Sequence, residues 1–358
     1  MTAVLHVQKV SGISGSEGHL LSLLPLLRAD GWDARMLVLH EGEPGAREFV
    51  ERLRSAGVPV DMLRMRLDLS PTVPLRLLTR RLPAILHTHL VHADVLALPA
   101  AALRRVPVRI STKHGFNPFR ANKVVSAVDR AAARLAHRQI AISHGLASYL
   151  TATQGYPPDA FTVVHYGIDV GPAPSPPATS TRLVAVGRLI EIKGFDVLLR
   201  AFAAARLEVP ELTLELAGSG PLEASLRAAA PEGVSFLGRV SPIGPCYERN
   251  AIVVVPSRGE GFGLVALEAA ERGRPAIVSD VGGLPEIVAH DRTGLVVPVG
   301  DEHALADAIV ALARDPDRVR AMGAAARERA VGEFSARSAA AGVEAVYREE
   351  LQKRGLSS

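Results

Sequence analysis

The sequence predicts an α/β protein made of two Rossmann-like, doubly wound domains that face each other across a cleft. Short β-branched or aliphatic runs alternate with longer segments rich in Ala, Leu and Arg along all 358 residues. This alternation is typical of parallel sheets with helical crossovers. A Pro/Ser/Thr-rich segment at 171–181 interrupts the alternation, which then starts again. We therefore expect 171–181 to be a linker between two domains.

The first domain is expected to span 1–170. Its strands are predicted at 4–10, 34–40, 58–63, 84–89, 108–114, 139–143 and 162–164. Its helices include 19–30, 46–56, 93–104 and 124–136, and Pro25 is expected to kink or shorten the first of these.

The second domain is expected to span 182–333, followed by an amphipathic helix in 334–358. Its strands are predicted at 182–186, 212–216, 234–237, 252–255, 276–279 and 295–297, with helices at 195–206, 222–230, 264–272 and 302–314. Ligands of such sheets bind at the carboxyl ends of the strands, which predicts a site in the cleft.

Composition limits the class of protein. Cys246 is the only cysteine, which excludes an internal disulfide or a cysteine metal cluster. No apolar run is long enough to span a bilayer and no export signal is visible, so a cytoplasmic location is expected.

Basic residues outnumber acidic ones by 14 to 4 within 60–140. That excess suits an anionic acceptor or peripheral contact with an anionic membrane, and equally an ordinary Arg-rich surface. Nucleic-acid binding is not expected, because few aromatic residues accompany the basic ones.

The stretch 256–268 has the chemistry of a phosphate site. A buried strand leads into a turn with Gly259, Gly261 and Gly263, and a helix follows. Glycines let backbone amides approach a ligand, and the helix N-terminus favours negative charge. Glu260 in the turn can accept hydrogen bonds from sugar hydroxyls, and Glu268 from a ribose diol. Both are equally compatible with surface glutamates near a helix start.

Two cations follow the first strand of the second domain. Arg188 and Lys193 flank a loop at its carboxyl end, where they can neutralise a diphosphate leaving group without a metal. The alternative is a pair of solvated loop cations.

In the first domain a glycine loop, SGISGSEG at 11–18, follows strand 4–10 and matches neither a Walker loop nor a dinucleotide fingerprint.

The segments GRLIEIKG at 187–194, GEGFGLVALEAAERGRPAIVSDVGGLPEIV at 259–288 and SGISGSEG at 11–18 together resemble the retaining glycosyltransferases of family 4, which have the GT-B fold. The Glu-x7-Glu motif of that family falls on Glu260 and Glu268. The resemblance spans nearly the whole chain. It implies that the C-terminal helix packs back on the first domain.

The resemblance also implies roles for single residues. The catalytic set would be His114, Arg188, Lys193 and Glu260, with His114 near the donor sugar. The donor-binding set would be Gly15, Arg239, Val240, Gly261, Phe262, Gly263, Leu264, Val265 and Glu268. In it, Gly15 lines the diphosphate from the first domain, and Arg239 and Val240 receive the base edge.

Histidines and one aromatic residue mark a candidate acceptor site. His87 and His89 lie two apart on a strand and so share a face. A zinc site is conceivable there, but the sequence offers no third ligand at a suitable spacing. An acceptor-lining role and a purely structural role are the alternatives. Phe116 and the loop 116–120 are expected to help form the acceptor site.

The function expected from the resemblance is transfer of a sugar, with retention of configuration, from a nucleotide-diphosphate donor to a hydroxyl acceptor. UDP is the favoured nucleotide, and neither cofactor nor metal is expected. Two alternatives stay open: a non-catalytic nucleotide-sugar-binding or assembly protein, and a nucleotide-sugar epimerase of the same fold.

Overall fold

The computed structural model describes residues 1–66, 70–79, 83–116, 123–172, 175–177 and 179–357. The chain divides into two compact units. The first comprises Met1–Asp169 with Ala336–Ser358, and the second comprises Val170–Ser335. Each unit has its own parallel sheet and its own core. No helix among the described residues is long and apolar enough to cross a membrane.

Thirteen strands are described, at or near the positions that the short apolar runs predict. Those of the first unit are β1 (Ala3–Lys9), β2 (Asp33–His40), β3 (Val60–Arg64), β4 (Ile85–His89), β5 (Val108–Lys113), β6 (Arg138–Ala141) and β7 (Phe161–Val163). Those of the second unit are β8 (Arg182–Val186), β9 (Thr213–Ala217), β10 (Val234–Gly238), β11 (Ile252–Val255), β12 (Ala276–Ser279) and β13 (Gly294–Val297).

The helices lie between the strands and after β13. They are α1 (Gly15–Ala29), α2 (Pro44–Ser55), α3 (Thr72–Thr79), α4 (Leu90–Leu103), α5 (Lys123–Ala133), α6 (His144–Gln154), α7 (Phe195–Glu208), α8 (Glu223–Ala229), α9 (Gly244–Arg249), α10 (Leu264–Glu271), α11 (Leu284–Ile287), α12 (Glu302–Ala313), α13 (Pro316–Glu333) and α14 (Ala336–Gln352). Pro25 lies inside α1, which continues for four residues beyond it. The expectation that Pro25 shortens this helix is therefore wrong.

The sheet of the first unit has the strand order β3-β2-β1-β4-β5-β6-β7. Its strands alternate between two apolar layers, because successive side chains point to opposite faces. Val4 and Met36 pack with α1, α2 and α14 on one face, and Val7 and Leu37 pack with α3 and α4 on the other. The C-terminal helix α14 thus completes the core of the first unit.

The sheet of the second unit has the order β10-β9-β8-β11-β12-β13. Its strands β11 and β12 are buried along their whole length, and their side chains are apolar apart from Ser279, as expected for strands covered on both faces. Described residues of the segment 171–181 lie along this unit. The Gly171 amide donates to Glu271 Oε1 at 2.9 Å, and the Ser180 hydroxyl donates to the Ala313 carbonyl at 2.6 Å. Residues 173, 174 and 178 lie outside the described part.

Candidate donor site

The strand order of the second sheet locates a crevice at one edge. The chain runs outward from β8 through β9 to β10, then returns to the other side of β8 and continues through β11 to β13. The switch point therefore lies between β8 and β11, and loops leaving the two strands diverge at their carboxyl ends. Ligands of doubly wound sheets bind in this crevice. Lys193 follows β8, and Glu260 follows β11.

The two loops are tied together by Arg258. Its backbone amide donates to the Ile192 carbonyl at 2.8 Å, and its guanidinium donates to both carboxylate oxygens of Asp196 at 2.7 Å. A bidentate arginine–carboxylate pair fixes orientation as well as distance. The turn Glu191–Lys193 and the start of α7 are therefore held against the segment that precedes Glu260.

This attachment brings Lys193 and Glu260 into contact. Lys193 Nζ lies 2.5 Å from Glu260 Oε2, and the Ser257 hydroxyl donates to the same oxygen at 3.3 Å. Both charged side chains remain partly exposed, at 21% and 17%. An ion pair that solvent still reaches can exchange partners with a ligand, so Lys193 is available to a phosphate oxygen and Glu260 to a hydroxyl.

Glycines allow the loops at this edge to pack backbone against backbone. A Cβ atom on Gly282, which has φ +57°, would lie 1.6 Å from the Glu260 carbonyl oxygen. A Cβ on Gly194, with φ +66°, would lie 2.0 Å from the Pro256 carbonyl oxygen. No side chain fits at either position. The Glu260 turn is thus clamped between the loop after β8 and the loop after β12.

Helix α10 begins at the end of the Glu260 turn. Gly263, with φ +112°, precedes Leu264 and Val265, whose amides belong to the first turn and so have no acceptor within the helix. Gly261 and Phe262 are buried beneath the turn. Free amides and the helix dipole make this end of α10 suited to an anion.

Glu268 lies in the second turn of α10 and is positioned by a tyrosine that the sequence analysis missed. The Tyr247 hydroxyl, contributed by α9, donates to Glu268 Oε2 at 2.6 Å. Burial raises the pKa of Glu268, although the Tyr247 hydrogen bond and Arg272 act in the opposite direction. Burial and the nearby Glu268 raise the pKa of Tyr247, which keeps its hydroxyl a donor.

The other predicted donor residues of this unit lie along the same edge. Arg188 is exposed in the loop after β8, and Arg239 and Val240 follow β10, two strands away. The structure thus brings Lys193 and Glu260 into direct contact, places Arg188, Arg239 and Val240 in loops that follow β8 and β10, and places Glu268 on α10. The ligand roles of these residues stay predictions.

In the first unit, the switch point lies between β1 and β4. Gly15 follows β1 as the exposed first residue of α1. His87 and His89 are buried on β4, and the half-buried His114 follows β5. His89 Nδ1 lies 2.8 Å from His114 Nε2, and His114 Nδ1 is hydrogen-bonded to the Tyr166 hydroxyl.

The end of β5 is held by a buried ion pair. Lys113 Nζ lies 2.6 Å from Asp94 on α4 and 3.3 Å from Asp129 on α5. All three side chains are buried, so the ion pairs fix the strand end from which His114 projects. Phe116 is half-buried and packs edge-on against Tyr149 at a ring distance of 4.2 Å. Residues 117–120 of the predicted acceptor loop lie outside the described residues.

The structure adds a third imidazole to His87 and His89. His6 on β1 pairs with His87 across the parallel ladder, and nitrogens of His6, His87 and His89 lie within 4.8 Å of one another. The sequence signal for His6 was its place in a predicted strand. Which strand lies beside it depends on the sheet order, which local sequence does not specify.

Two family models match the chain. Residues 13–171 match Glycosyltransferase Family 4, and residues 180–315 match Glycosyl transferases group 1. The chain is 32% identical over 296 residues to an alpha-maltose-1-phosphate synthase of Mycolicibacterium smegmatis, covering 70% of this chain and 75% of that protein. It is 35% identical over 224 residues to a D-inositol 3-phosphate glycosyltransferase of Thermobispora bispora, covering 55% of this chain and 52% of that protein. The chain spans only about half the length of several such relatives.

Solved structures share the fold. The Anabaena protein HepE in complex with UDP-glucose superposes with a TM-score of 0.84 at 20% identity, over 98% of this chain and 100% of that one. The sucrose-phosphate synthase of Thermosynechococcus elongatus superposes with a TM-score of 0.79 at 22% identity, over 99% and 100%. The chain therefore belongs to glycosyltransferase family 4, the group 1 glycosyl transferases, and has the GT-B fold.

Proposed function

We propose that this protein is a retaining glycosyltransferase that moves a sugar from a nucleotide-diphosphate donor, with UDP favoured, to a hydroxyl acceptor. The observation that supports it best is the Lys193–Glu260 contact at the switch point of the second sheet, beside the start of α10. A cation, a carboxylate and free helix amides in one crevice match the parts of a sugar diphosphate: phosphate oxygens and sugar hydroxyls.

In the proposed reaction the bond between the anomeric carbon and the diphosphate oxygen breaks while the acceptor oxygen attacks from the same face. Lys193, Arg188 and the amides of Leu264 and Val265 stabilise the charge that develops on the leaving diphosphate. The leaving oxygen takes the acceptor proton. Because these groups already provide positive charge, the proposal needs no metal ion.

The binding roles divide between the two glutamates. Glu260 holds hydroxyls of the transferred sugar once a phosphate oxygen has taken its place beside Lys193. Glu268 holds the ribose diol through the carboxylate oxygen that Tyr247 does not occupy. UDP is favoured in part because HepE structures contain UDP and UDP-glucose. Other relatives are named for GDP-mannose, so GDP is the first alternative.

The first unit would then supply the acceptor site. Arg66, Arg76, Arg104 and Arg105 are exposed there, and they support an anionic acceptor or an anionic membrane surface as partner. Residues 67–69, 80–82 and 117–122 of the basic region lie outside the described residues. Sedimentation with vesicles that contain or lack an anionic lipid separates a membrane contact from an anionic acceptor.

Product analysis tests the proposed function. The protein is incubated in EDTA with UDP-α-glucose and a panel of sugar and polyol acceptors, including the D-inositol 3-phosphate that the name of one relative specifies. We expect an α-linked product by NMR and its loss in Glu260→Ala. Glu223→Ala, which removes a glutamate paired with Arg227 on α8, is the matched control and should stay active.

Other outcomes separate the alternatives. A β-linked product would contradict retention, and a requirement for added metal would contradict the metal-free scheme. Conversion of the donor without any acceptor would indicate an epimerase. Nucleotide binding without turnover of any donor would favour the binding-protein alternative.

A further inference from the structure

A row of imidazoles runs through the first unit toward the carboxyl edge of its sheet. His6 on β1 and His87 on β4 are ladder partners, His89 ends β4, and His114 follows β5. His6, His87 and His89 are at most 1% exposed. Burial of a histidine without a carboxylate partner is costly unless its ring nitrogens are hydrogen-bonded. Each of these ring nitrogens is therefore expected to have a hydrogen-bond partner.

All ring nitrogens of these four residues are engaged. From the buried end, His87 Nε2 lies 2.7 Å from the Thr112 hydroxyl and His87 Nδ1 lies 2.6 Å from the Tyr347 hydroxyl. The Tyr347 hydroxyl lies 3.2 Å from His6 Nε2. His6 Nδ1 lies 2.9 Å from His89 Nε2.

The row continues to the edge of the sheet. His89 Nδ1 lies 2.8 Å from His114 Nε2, and His114 Nδ1 meets the Tyr166 hydroxyl. The Tyr166 ring is covered by His19 of α1 at a ring distance of 4.2 Å. The contacts form a continuous hydrogen-bonded row, which we call the imidazole chain: Thr112, His87, Tyr347, His6, His89, His114 and Tyr166.

A metal ion is the competing explanation for His6, His87 and His89, since zinc takes three imidazoles. A shared zinc would need three lone pairs that converge on one point about 2.0–2.1 Å from each nitrogen. The His6 and His89 rings instead lie within 7° of parallel, with centroids 5.2 Å apart and nitrogens 2.9 Å apart. Those two nitrogens face each other, as in a hydrogen bond, and do not aim at a common third point.

Counting protons shows that the hydrogen bonds of the imidazole chain all point in the same direction, from donor to acceptor, when the rings are neutral. A neutral imidazole has one N–H and one bare nitrogen, and a tyrosine hydroxyl has one proton. If His87 donates through Nδ1 to Tyr347, then Tyr347 donates to Nε2 of His6, whose proton must be on Nδ1. The same step repeats at His89 and His114. If His114 instead donates through Nε2, the proton lies on Nε2 at every histidine back to His87. The four tautomers must therefore be alike, all Nδ1–H or all Nε2–H.

We propose that the imidazole chain gives its neutral histidines one shared tautomer and so sets the tautomer of His114, and that Tyr347 of α14 is a positioning residue for His114. The proton count applies to neutral rings, because a doubly protonated ring would let the hydrogen bonds on its two sides point in opposite directions. Consistent with this, burial lowers the pKa of His6 to about 3 and lowers those of His87 and His89 well below the usual value.

The consequence for substrate rests on the proposed function and on the family resemblance, which assigns His114 to the catalytic set. A substrate hydroxyl that replaces Tyr166 at His114 Nδ1 meets a donor in one sense of the chain and an acceptor in the other. The sense of the chain, which Tyr347 transmits from the far end, therefore decides which hydroxyl orientation the site accepts.

Nitrogen-15 NMR of histidine-labelled protein tests the tautomers directly. The ring shifts of the full chain distinguish N–H from bare nitrogen, and single His→Gln variants assign them. We expect His6, His87, His89 and His114 to share one tautomer at pH 8, and His6, His87 and His89 to remain neutral at pH 6. A mixed set of tautomers, or stoichiometric binding of added zinc that removes these signals, overturns the proposal.

Tyr347→Phe tests the positioning role, with Ser180→Ala as its control. Each removes one buried hydroxyl, and the Ser180 hydroxyl donates to the Ala313 carbonyl in the second unit, outside the imidazole chain. We expect Tyr347→Phe to change the His114 nitrogen shifts and to lower kcat at least threefold with a nearly constant donor KM. Ser180→Ala should lose stability only.

Unchanged His114 shifts in Tyr347→Phe would overturn the positioning role. The NMR readout uses no substrate, so it separates this proposal from the proposed function. If no donor is turned over but the four tautomers are alike and change in Tyr347→Phe, the proposed function is wrong and the proposal for the imidazole chain is confirmed.

Discussion

At the scale of single residues, the donor site depends on side chains held by partners outside the family motif. Tyr247 holds one oxygen of Glu268 at 2.6 Å in a partly buried setting. A hydrogen bond to a charged group contributes about 1.5–3 kcal/mol. In the proposed donor site, the Tyr247 hydrogen bond would therefore keep the other oxygen of Glu268 aimed at the ribose.

We predict that Tyr247→Phe weakens UDP binding about 5- to 20-fold, since part of that hydrogen-bond energy orients Glu268 for the ligand. Calorimetry with UDP and with its 2′,3′-dideoxy analogue measures it. The analogue lacks the ribose diol, so its affinity should change less than twofold. Equal losses for the two ligands would show that Glu268 does not read the ribose.

The sequence was sufficient to select Lys193, Glu260 and Glu268, because glycines, charges and strand ends mark them locally. It was not sufficient to select Tyr247 or His6. Tyr247 is reached from α9, which has only six residues and weak periodicity. His6 acquires its partners from a neighbouring strand and from α14, at separations of 83 and 341 residues. Contacts of that kind follow from topology and not from spacing.

At the scale of elements, the site depends on how closely three loops approach. The Glu260 carbonyl occupies the space that any side chain at 282 would need. Gly300 provides a matched comparison, because its φ of +76° is also positive while a Cβ there would meet nothing within 4 Å. The two glycines thus differ in crowding and not in backbone region.

We predict that Gly282→Ala destabilises the protein by several kcal/mol and weakens nucleotide binding at least tenfold. Gly300→Ala should cost about 1–2 kcal/mol, the strain of a left-handed alanine, and leave nucleotide binding unchanged. Thermal unfolding and calorimetry on both variants measure this. Similar losses in the two variants would mean that contact with the Glu260 turn is not what selects glycine at 282.

The sequence predicted the strands better than it predicted the helices α1 and α13. Strands were found because each is a short apolar run bounded by polar residues, and β8, β11 and β12 match their predicted bounds. Helix α13 was missed because its apolar residues do not form a clear stripe. Its start at Asp315 and Pro316, a side-chain cap followed by proline, was a usable signal. Helix α1 continues past Pro25 because packing of Leu20, Leu23, Leu24 and Leu27 in the core outweighs the local cost of proline.

At the scale of the whole molecule, the two units should respond differently to acid. The first unit buries His6 and His19, and burial lowers the pKa of each from 6.5 to about 3. The unfolded chain binds protons at these sites below about pH 6.5, whereas the folded unit does not until about pH 3. The free energy of unfolding therefore falls as pH falls through this window, by up to about 1.4 kcal/mol per pH unit for each such histidine.

Trp32 reports this effect selectively. It is the only tryptophan of the chain, is buried in the first unit and packs edge-on against Tyr347 at 5.2 Å. We predict that the unfolding temperature followed by Trp32 fluorescence falls steadily from pH 7 to pH 4. His303→Gln, which removes an exposed histidine of the second unit, should leave that slope unchanged. A flat profile would mean that the buried histidines are not neutral in the folded unit.

In the proposed reaction, the second unit binds a nucleotide diphosphate through Lys193 without a metal. Calorimetric titration with UDP, GDP, ADP and dTDP in EDTA tests it most directly, on the unaltered protein, on Lys193→Ala and on Lys353→Ala. The last removes an exposed lysine that is also ion-paired, to Glu349 at 2.6 Å. We predict that one nucleotide binds, that Lys193→Ala weakens it about 10- to 100-fold as expected for a charged hydrogen bond, and that Lys353→Ala has no effect. Absence of binding by all four nucleotides, or equal affinity in Lys193→Ala, would show that Lys193 does not hold a nucleotide diphosphate.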